Sequence, residues 1–325
     1  MTTPRRRADD AQKPPDGLHA RLDGDGPPLV LGPSLGTSLA VWEPQLAALA
    51  GSHRVLRWDL PGHGGSPAAL LPGDGSATVA RLAALVLRLA DAHGWRRFAY
   101  AGISLGGAVG LHLAAHTPER LSSLAVVCSS ARFGDAAVWR ERAALVRAQG
   151  TAPLAEAAAG RWFSPSPTPP DAHRTEADAQ HRTEADAHRT DADAHRTDAA
   201  RTDADARTGA DARTALRARL LDDLRAADPY GYAACCDALA AYDLRARLPY
   251  VTTPTLVVAG LDDPATPSPH ARELADGIPD ARLSEVPRAA HLANVDQPHL
   301  TGATLHAHFA APHAAGGDPG DSSRT

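Results

Sequence analysis

Short apolar runs alternate with stretches of helical periodicity along most of the chain. Six runs rich in Val, Leu and Ala predict strands at 28–31, 55–60, 98–101, 121–128, 255–259 and 282–286. Between several of them, apolar residues recur at helical spacing, most clearly over 79–92 and 108–115. Strands that alternate with helices are typical of βαβ units, so the pattern predicts an α/β protein with a mainly parallel sheet.

One long stretch breaks this alternation. Residues 135–245 contain no strand pattern and predict helices instead, at 136–148, 153–160, 215–227 and 231–242. Helices inserted between two strands of an α/β sheet indicate a cap or lid. The sequence therefore predicts a core formed by residues 17–134 and 246–310, with a helical cap at 135–245.

The cap contains a low-complexity array at residues 171–213, built from units such as Asp-Ala-His-Arg-Thr. These units have no apolar residue larger than Ala, so we expect a solvent-exposed tract without a core of its own. Its regularly spaced histidines leave a metal site as an alternative, and they are His173, His181, His188 and His195. Residues 1–16 and 311–325 are polar or rich in Gly and Pro, and we expect both ends to be disordered.

Composition and charge narrow the classes of function. The formal net charge of the 325 residues is −5, which argues against a dedicated nucleic-acid-binding protein. The array contributes most of this charge. No export signal and no transmembrane segment are predicted, and three cysteines with two adjacent suit neither a disulfide framework nor a metal site. We expect a cytoplasmic protein that binds a small molecule and no membrane; its oligomeric state, monomer or homo-oligomer, stays open.

The most informative motif is Gly-Ile-Ser-Leu-Gly at residues 102–106. It matches the pattern G-x-S-x-G, and the predicted strand before it and helix after it supply the strand–turn–helix context of a nucleophile elbow. Such a turn exposes the serine hydroxyl at the edge of the sheet. Ser104 is therefore the candidate nucleophile.

A serine hydroxyl needs a base, and the base needs an orienting carboxylate. In elbow-containing folds the order along the chain is serine, acid, histidine. His291 follows the last predicted strand and is the candidate base. Asp262 and Asp263 both follow the strand at 255–259; we favour Asp263 because it is the third residue after Gly260, and Asp262 remains the alternative.

An oxyanion intermediate also needs two backbone N–H donors. One candidate is the amide of Leu105, directly after the nucleophile. The other is expected in the loop at residues 32–37, after the first strand. Pro33 has no N–H group, so we favour Leu35, with Ser34 as the alternative.

Together these motifs resemble the α/β-hydrolase superfamily and, more narrowly, 3-oxoadipate enol-lactonases of the β-ketoadipate pathway. The motifs that carry the resemblance are Asp59–Ser66, Ser34–Thr37, Trp42–Gln45, Ala101–Gly107, Arg161–Pro165, Asp228–Asp237, Gly260–Pro267 and Ala290–Asn294. The resemblance covers roughly residues 28–165 and 215–300. The array at 171–213 has no counterpart in the family.

The resemblance implies hydrolysis of an enol lactone through an acyl-enzyme, without a metal ion or other cofactor. Because the lactone carries a free carboxylate, it also implies a cation near the site, for which Arg132 and Arg161 are candidates. Trp139 and Trp162 are candidates for the pocket wall. The alternative activity is that of another carboxylesterase or of a C–C-bond hydrolase.

Overall fold

The computed structural model describes residues 17–165 and 192–311. Its strands are β1 (Ala20–Asp23), β2 (Pro28–Gly32), β3 (Arg54–Trp58), β4 (Phe98–Ile103), β5 (Leu121–Val127), β6 (Thr255–Gly260) and β7 (Arg282–Val286). The disorder predicted for 1–16 and for nearly all of 311–325 lies outside the described residues, and so does array segment 171–191 with three of its four histidines.

The strands form one sheet in the order β1-β3-β2-β4-β5-β6-β7. Strand β1 pairs with β3 in the antiparallel sense, and all other neighbours are parallel. The predicted α/β class and mainly parallel sheet are thus confirmed. The pattern analysis missed β1, because this four-residue edge strand is only half-buried and contains no apolar run.

The helices are α1 (Glu43–Ala50), α2 (Val79–Ala92), α3 (Leu105–His116), α4 (Ala136–Gln149), α5 (Leu154–Trp162), α6 (Ala192–Ala226), α7 (Pro229–Ala240), α8 (Ser268–Gly277), α9 (Ala293–Asp296) and α10 (Pro298–Ala310). Helix α2 shows why the pattern predicted it. Its apolar residues face the core, and the Thr78 hydroxyl caps its first turn by accepting from the Arg81 amide. Helices α1 and α8 were not predicted.

Four helices, α4 to α7, lie between β5 and β6, in the stretch where the sequence predicted a cap. Helix α4 packs against α7, and the Arg147 guanidinium forms an ion pair with the buried Asp237 carboxylate between them. Helix α6 begins at Ala192, well before the predicted residue 215, and so extends into the array. No helix in the described part of the chain is long and apolar enough to cross a membrane.

The strand order determines where a site can form. Strands β2 and β4 are neighbours although β3 lies between them in sequence, so the chain leaves the carboxyl ends of these two strands in opposite directions. Such a switch point opens a crevice at the sheet edge. Gly32 and Gly102 pair at the ends of β2 and β4, which places the 32–37 loop directly beside the Ser104 turn.

Candidate active site

Ser104 occupies a strained turn between β4 and α3. Its φ of 54° and ψ of −115° lie in a region that residues with a side chain rarely adopt. Its amide donates to the Val127 carbonyl at 3.0 Å, and its carbonyl accepts from the Ser129 hydroxyl at 2.7 Å. These bonds to the end of β5 hold the turn in place.

Two glycines make this turn sterically feasible. A Cβ atom on Gly102 would lie 2.1 Å from the Gly106 carbonyl oxygen, and one on Gly106 would lie 2.5 Å from the Gly32 carbonyl oxygen. Both distances are far below van der Waals contact. The glycines of the motif are therefore required by the close approach of β2, β4 and the start of α3.

His291 and Asp263 lie together at the ends of β6 and β7. The His291 Nδ1 atom is 2.9 Å from the Asp263 Oδ2 atom, and His291 lines the same pocket as Ser104. Because Nδ1 is engaged by the carboxylate, Nε2 is the nitrogen that can accept a proton from a serine. The structure thus joins His291 to Asp263 by a hydrogen bond and places His291 in the same pocket as Ser104.

The carboxylate of Asp263 is held ionised. Burial favours its neutral form, but the neighbouring His291 and the hydrogen bonds from Thr266 outweigh this effect, so the pKa of Asp263 lies below its usual value. The Thr266 hydroxyl donates to Oδ2 at 2.7 Å, and the Ala265 amide donates to Oδ1 at 2.8 Å. Asp262 is exposed and instead accepts from the Ser164 hydroxyl of the cap at 2.8 Å.

One candidate oxyanion donor lines the pocket, and the other directly follows the candidate nucleophile in sequence. Leu35 lines it together with Ser34, and Leu105 begins α3 immediately after Ser104. Within the described residues, neither the Leu35 nor the Leu105 amide has a hydrogen-bond partner in the chain. The Leu105 amide also lies at the positive end of the α3 dipole, which favours a developing negative charge.

His63 supports the loop at residues 32–37, which contains the candidate oxyanion donor Leu35, and the sequence did not predict this role. The Gly36 amide donates to its Nε2 atom at 3.1 Å, and its Nδ1 atom lies 3.0 Å from the Pro61 carbonyl oxygen. Burial lowers the pKa of His63, so the neutral form that accepts from Gly36 persists. The Pro-Gly-His-Gly turn after β3 was visible in the sequence, but its contact with the 32–37 loop depends on tertiary structure.

Two arginines of the cap enter the pocket. Arg161, a predicted candidate, lies at the end of α5, and Arg142 lies on α4, where its guanidinium stacks 4.7 Å from the Trp139 ring. Burial and then the charge of Arg142 lower the pKa of Arg161. Among the described residues neither guanidinium forms an ion pair, so in that part of the chain the pocket holds two neighbouring positive charges without a carboxylate partner.

Two of the other predicted pocket residues line the pocket of Ser104, and the third lies elsewhere. Trp139 and Trp162 line the pocket, as expected. Arg132 does not; it borders a separate depression with His270 and Arg245. The Ser130 hydroxyl closes a tight turn by bonding the Arg132 carbonyl at 2.6 Å, and after this turn Phe133, rather than Arg132, lines the pocket.

The site offers no cluster of metal ligands within the described ranges. No three His, Cys, Asp or Glu side chains there could jointly hold a metal ion. The three cysteines are free and buried, and burial raises the pKa of Cys236 to about 12. The side chains that line the pocket include several hydroxyls, one imidazole, two guanidiniums and aromatic rings.

Comparisons with known proteins agree with this geometry. A family model described as alpha/beta hydrolase fold matches residues 27–298. The 3-oxoadipate enol-lactonase 2 of Acinetobacter baylyi is 32% identical over 274 residues, which cover 84% of this chain and 85% of the relative. A protein of Stutzerimonas stutzeri that bears the name of a carbamate hydrolase, RutD, is 30% identical over 280 residues, covering 86% and 89% of the two chains.

Solved structures give the same result. The crystal structure of the enol-lactonase from Burkholderia xenovorans matches this chain with a TM-score of 0.72 and 32% identity. The match covers 90% of this chain and 96% of that one. The similarity therefore extends over the sheet and its helices and is not confined to the motif around Ser104.

Proposed function

This chain belongs to the α/β hydrolase fold family, and from that premise we propose that it hydrolyses 3-oxoadipate enol-lactone to 3-oxoadipate in aromatic-compound degradation. Ser104 is the nucleophile, His291 the base and Asp263 the orienting acid. The observation that carries the choice of substrate is the presence of two guanidiniums, those of Arg142 and Arg161, in the same pocket as Ser104, neither with an ion-pair partner among the described residues.

The reaction proceeds in two halves. His291 Nε2 takes the proton of the Ser104 hydroxyl as its oxygen attacks the lactone carbonyl, and the amides of Leu35 and Leu105 stabilise the resulting oxyanion. Collapse breaks the ring C–O bond and releases an enolate oxygen, which receives the proton from His291. The enol then tautomerises to the ketone. A water molecule, deprotonated by His291, cleaves the acyl-enzyme, and the proton returns to Ser104.

The arginine pair supports a substrate with a free carboxylate. Two close positive charges in a half-buried pocket repel each other, and an anion between them removes that repulsion. A guanidinium also binds a carboxylate through two parallel hydrogen bonds. A neutral ester would leave both charges uncompensated, which favours the lactone carboxylate over the alternative of a simple carboxylesterase.

The first experiment compares substrates on the purified protein. We expect turnover of 3-oxoadipate enol-lactone to exceed that of neutral p-nitrophenyl esters in kcat/KM. Replacing Ser104→Ala should lower kcat by at least about 10⁴-fold, because both halves of the reaction use its hydroxyl. Ester turnover without lactone turnover would show that the substrate assignment is wrong, and unchanged activity of Ser104→Ala would remove Ser104 from the mechanism.

The second experiment tests the cationic pair. Arg142→Gln and Arg161→Gln should each lower kcat/KM for the lactone by about 10- to 100-fold, the value of a charged hydrogen bond, mainly through KM. Turnover of a neutral ester should change little. Arg132→Gln is the matched control, since that arginine borders a different depression. If Arg132→Gln lowered kcat/KM for the lactone and the two cap variants did not, Arg132 would be the residue that binds the carboxylate.

A further inference from the structure

Asp296 is a buried carboxylate that the reaction scheme does not use. It ends the short helix α9, five residues after His291, and its side chain is 1% exposed. Its Oδ2 atom accepts from the Ser164 amide at 2.8 Å and from the Ala290 amide at 2.9 Å. Its Oδ1 atom lies 2.5 Å from an Nη2 atom of Arg217.

These three partners belong to three different segments. Ser164 follows α5, and Arg217 belongs to α6, so both are parts of the cap. Ala290 directly precedes His291. Asp296 therefore lies at the junction between the cap and the loop that carries the candidate base.

Backbone contacts form a second connection at the same junction. The amide of His291 donates to the Arg161 carbonyl at 3.3 Å, and the amide of Leu292 donates to the Trp162 carbonyl at 2.9 Å. The segment that leaves α5 thus contacts the histidine loop directly. Arg161 belongs to this segment. The segment that carries a positive charge of the pocket therefore also contacts the loop that carries the candidate base.

The histidine loop is also held on the side away from the cap. The Asn294 side-chain amide donates to the Val41 carbonyl at 2.6 Å and to the Gln45 Oε1 atom at 3.0 Å. This contact fixes the loop against the start of α1. The part of the loop that faces the cap, around Ala290, is instead held by the carboxylate of Asp296.

A buried carboxylate is costly when its role is only to fill space. Burial raises the pKa of Asp296 even though two amides and a guanidinium contact it. Replacing a buried ion pair with apolar residues is often neutral or stabilising. The contacts that this charge makes at the junction are therefore a better guide to its role than a contribution to stability.

We propose that Asp296 is a positioning residue that holds the His291 loop against the cap, so that the segment carrying Arg161 also determines where the base lies. The carboxylate does not touch the substrate. It accepts hydrogen bonds from the amides of Ser164 in the cap and Ala290 in the histidine loop, and these bonds keep His291 in line with Ser104. This inference rests on the serine-hydrolase mechanism but not on the identity of the lactone.

The test measures the rate at which a fluorophosphonate labels Ser104, because labelling needs the base but not the lactone. Asp296→Ala removes every acceptor and should slow labelling of the folded protein by about 10- to 100-fold, the effect of a misplacement near 1 Å. The kcat for any ester or lactone that is turned over should fall in parallel, with KM nearly unchanged. Asp296→Asn can still accept both amides through its carbonyl oxygen and should retain most of the labelling rate.

Asp237→Ala is the matched control for stability. It removes a buried carboxylate of the cap, paired with Arg147, whose described contacts do not include the histidine loop. It should lower Tm without slowing the labelling of folded protein. If Asp296→Ala also lowers only Tm, the proposal is wrong.

A double variant covers the case in which Asp296→Ala does not fold. Asp296→Ala with Arg217→Leu removes both partners of the ion pair, which costs less stability than removing the buried carboxylate alone. Labelling of this folded variant should still be slow, because the two amides still lack their acceptor. Labelling as fast as in the wild type would overturn the proposal, whereas a wild-type protein that is not labelled at all would contradict the serine-hydrolase mechanism itself.

Discussion

Ser104 shows how one residue can be constrained by several neighbours at once. Its backbone is held at a positive φ by bonds to Val127 and Ser129, while glycines remove every Cβ atom that would obstruct the turn. The energy of this strained conformation is supplied by the surrounding packing. What results is a serine that lines the pocket.

Substitutions of Asp263 and Asp262 distinguish which of the two carboxylates orients His291. Asp263→Asn should lower kcat by about 10⁴-fold, because an amide cannot keep His291 in the tautomer whose Nε2 accepts a proton. Asp262→Asn is the matched control and should change kcat by less than about threefold, since its carboxylate bonds the cap hydroxyl of Ser164. Steady-state kinetics of both variants decide the assignment. The opposite ranking would make Asp262 the acid.

At the scale of elements, the ends of the strands assemble the site. The candidate nucleophile follows β4, the loop with the candidate oxyanion donor follows β2, and the candidate acid and base follow β6 and β7. Parallel strands place all their carboxyl ends at one edge, so residues distant in sequence become neighbours there. The cap contributes from the other side through α4 and α5, which carry the two arginines.

Helix α3, which follows Ser104, carries two stacked histidines. His112 and His116 stack with ring centroids 4.1 Å apart, and burial, followed by the neighbouring His116, lowers the pKa of His112 to about 4. The unfolded chain binds this proton near pH about 6.5. Between these two values the unfolded state holds more protons, so the free energy of unfolding falls as the pH falls.

The prediction is that His112→Gln reduces the acid sensitivity of the fold. The decrease in Tm between about pH 7 and about pH 5 should be smaller in this variant than in the wild type. His299→Gln, which replaces an exposed histidine on α10, is the control and should leave that decrease unchanged. An equal decrease in all three proteins would show that His112 does not contribute to the pH dependence.

At the scale of the whole molecule, the described contacts of α6 with the core lie after the array at 171–213. Among the side chains that the structure describes, Arg217 pairs with Asp296, and Asp223 accepts from the Ser38 hydroxyl at 2.5 Å. The buried apolar residues of this helix, Leu220 and Leu224, also follow the array. The array has no apolar side chain larger than Ala to bury.

Replacing residues 171–213 with a short Gly-Ser linker should therefore leave kcat/KM within about threefold of the wild type and lower Tm little. The measurement is steady-state kinetics together with thermal unfolding. A variant with the same linker inserted after residue 171, and nothing removed, controls for the junction. A large loss of kcat in the deletion alone would show that the array takes part in closing the cap over the pocket.

The sequence alone determined much of the fold, because apolar periodicity and turn residues report local burial directly. It predicted six strands of the sheet and the four helices of the cap. It missed β1, α1 and α8, whose short segments lack a strong pattern. Arg142 was also missed, although it lies one turn after Trp139 on the same face of α4, a spacing that could have indicated it.

Only the tertiary structure decided which side chains share the pocket. The turn at Ser130 directs Arg132 away, while the packing of α4 on α7 brings Arg142 in. The bond from Gly36 to His63 and the junction at Asp296 likewise join segments far apart in sequence. Local sequence patterns carry the geometry of single elements, whereas these contacts depend on how elements pack, and that is determined by the whole core at once.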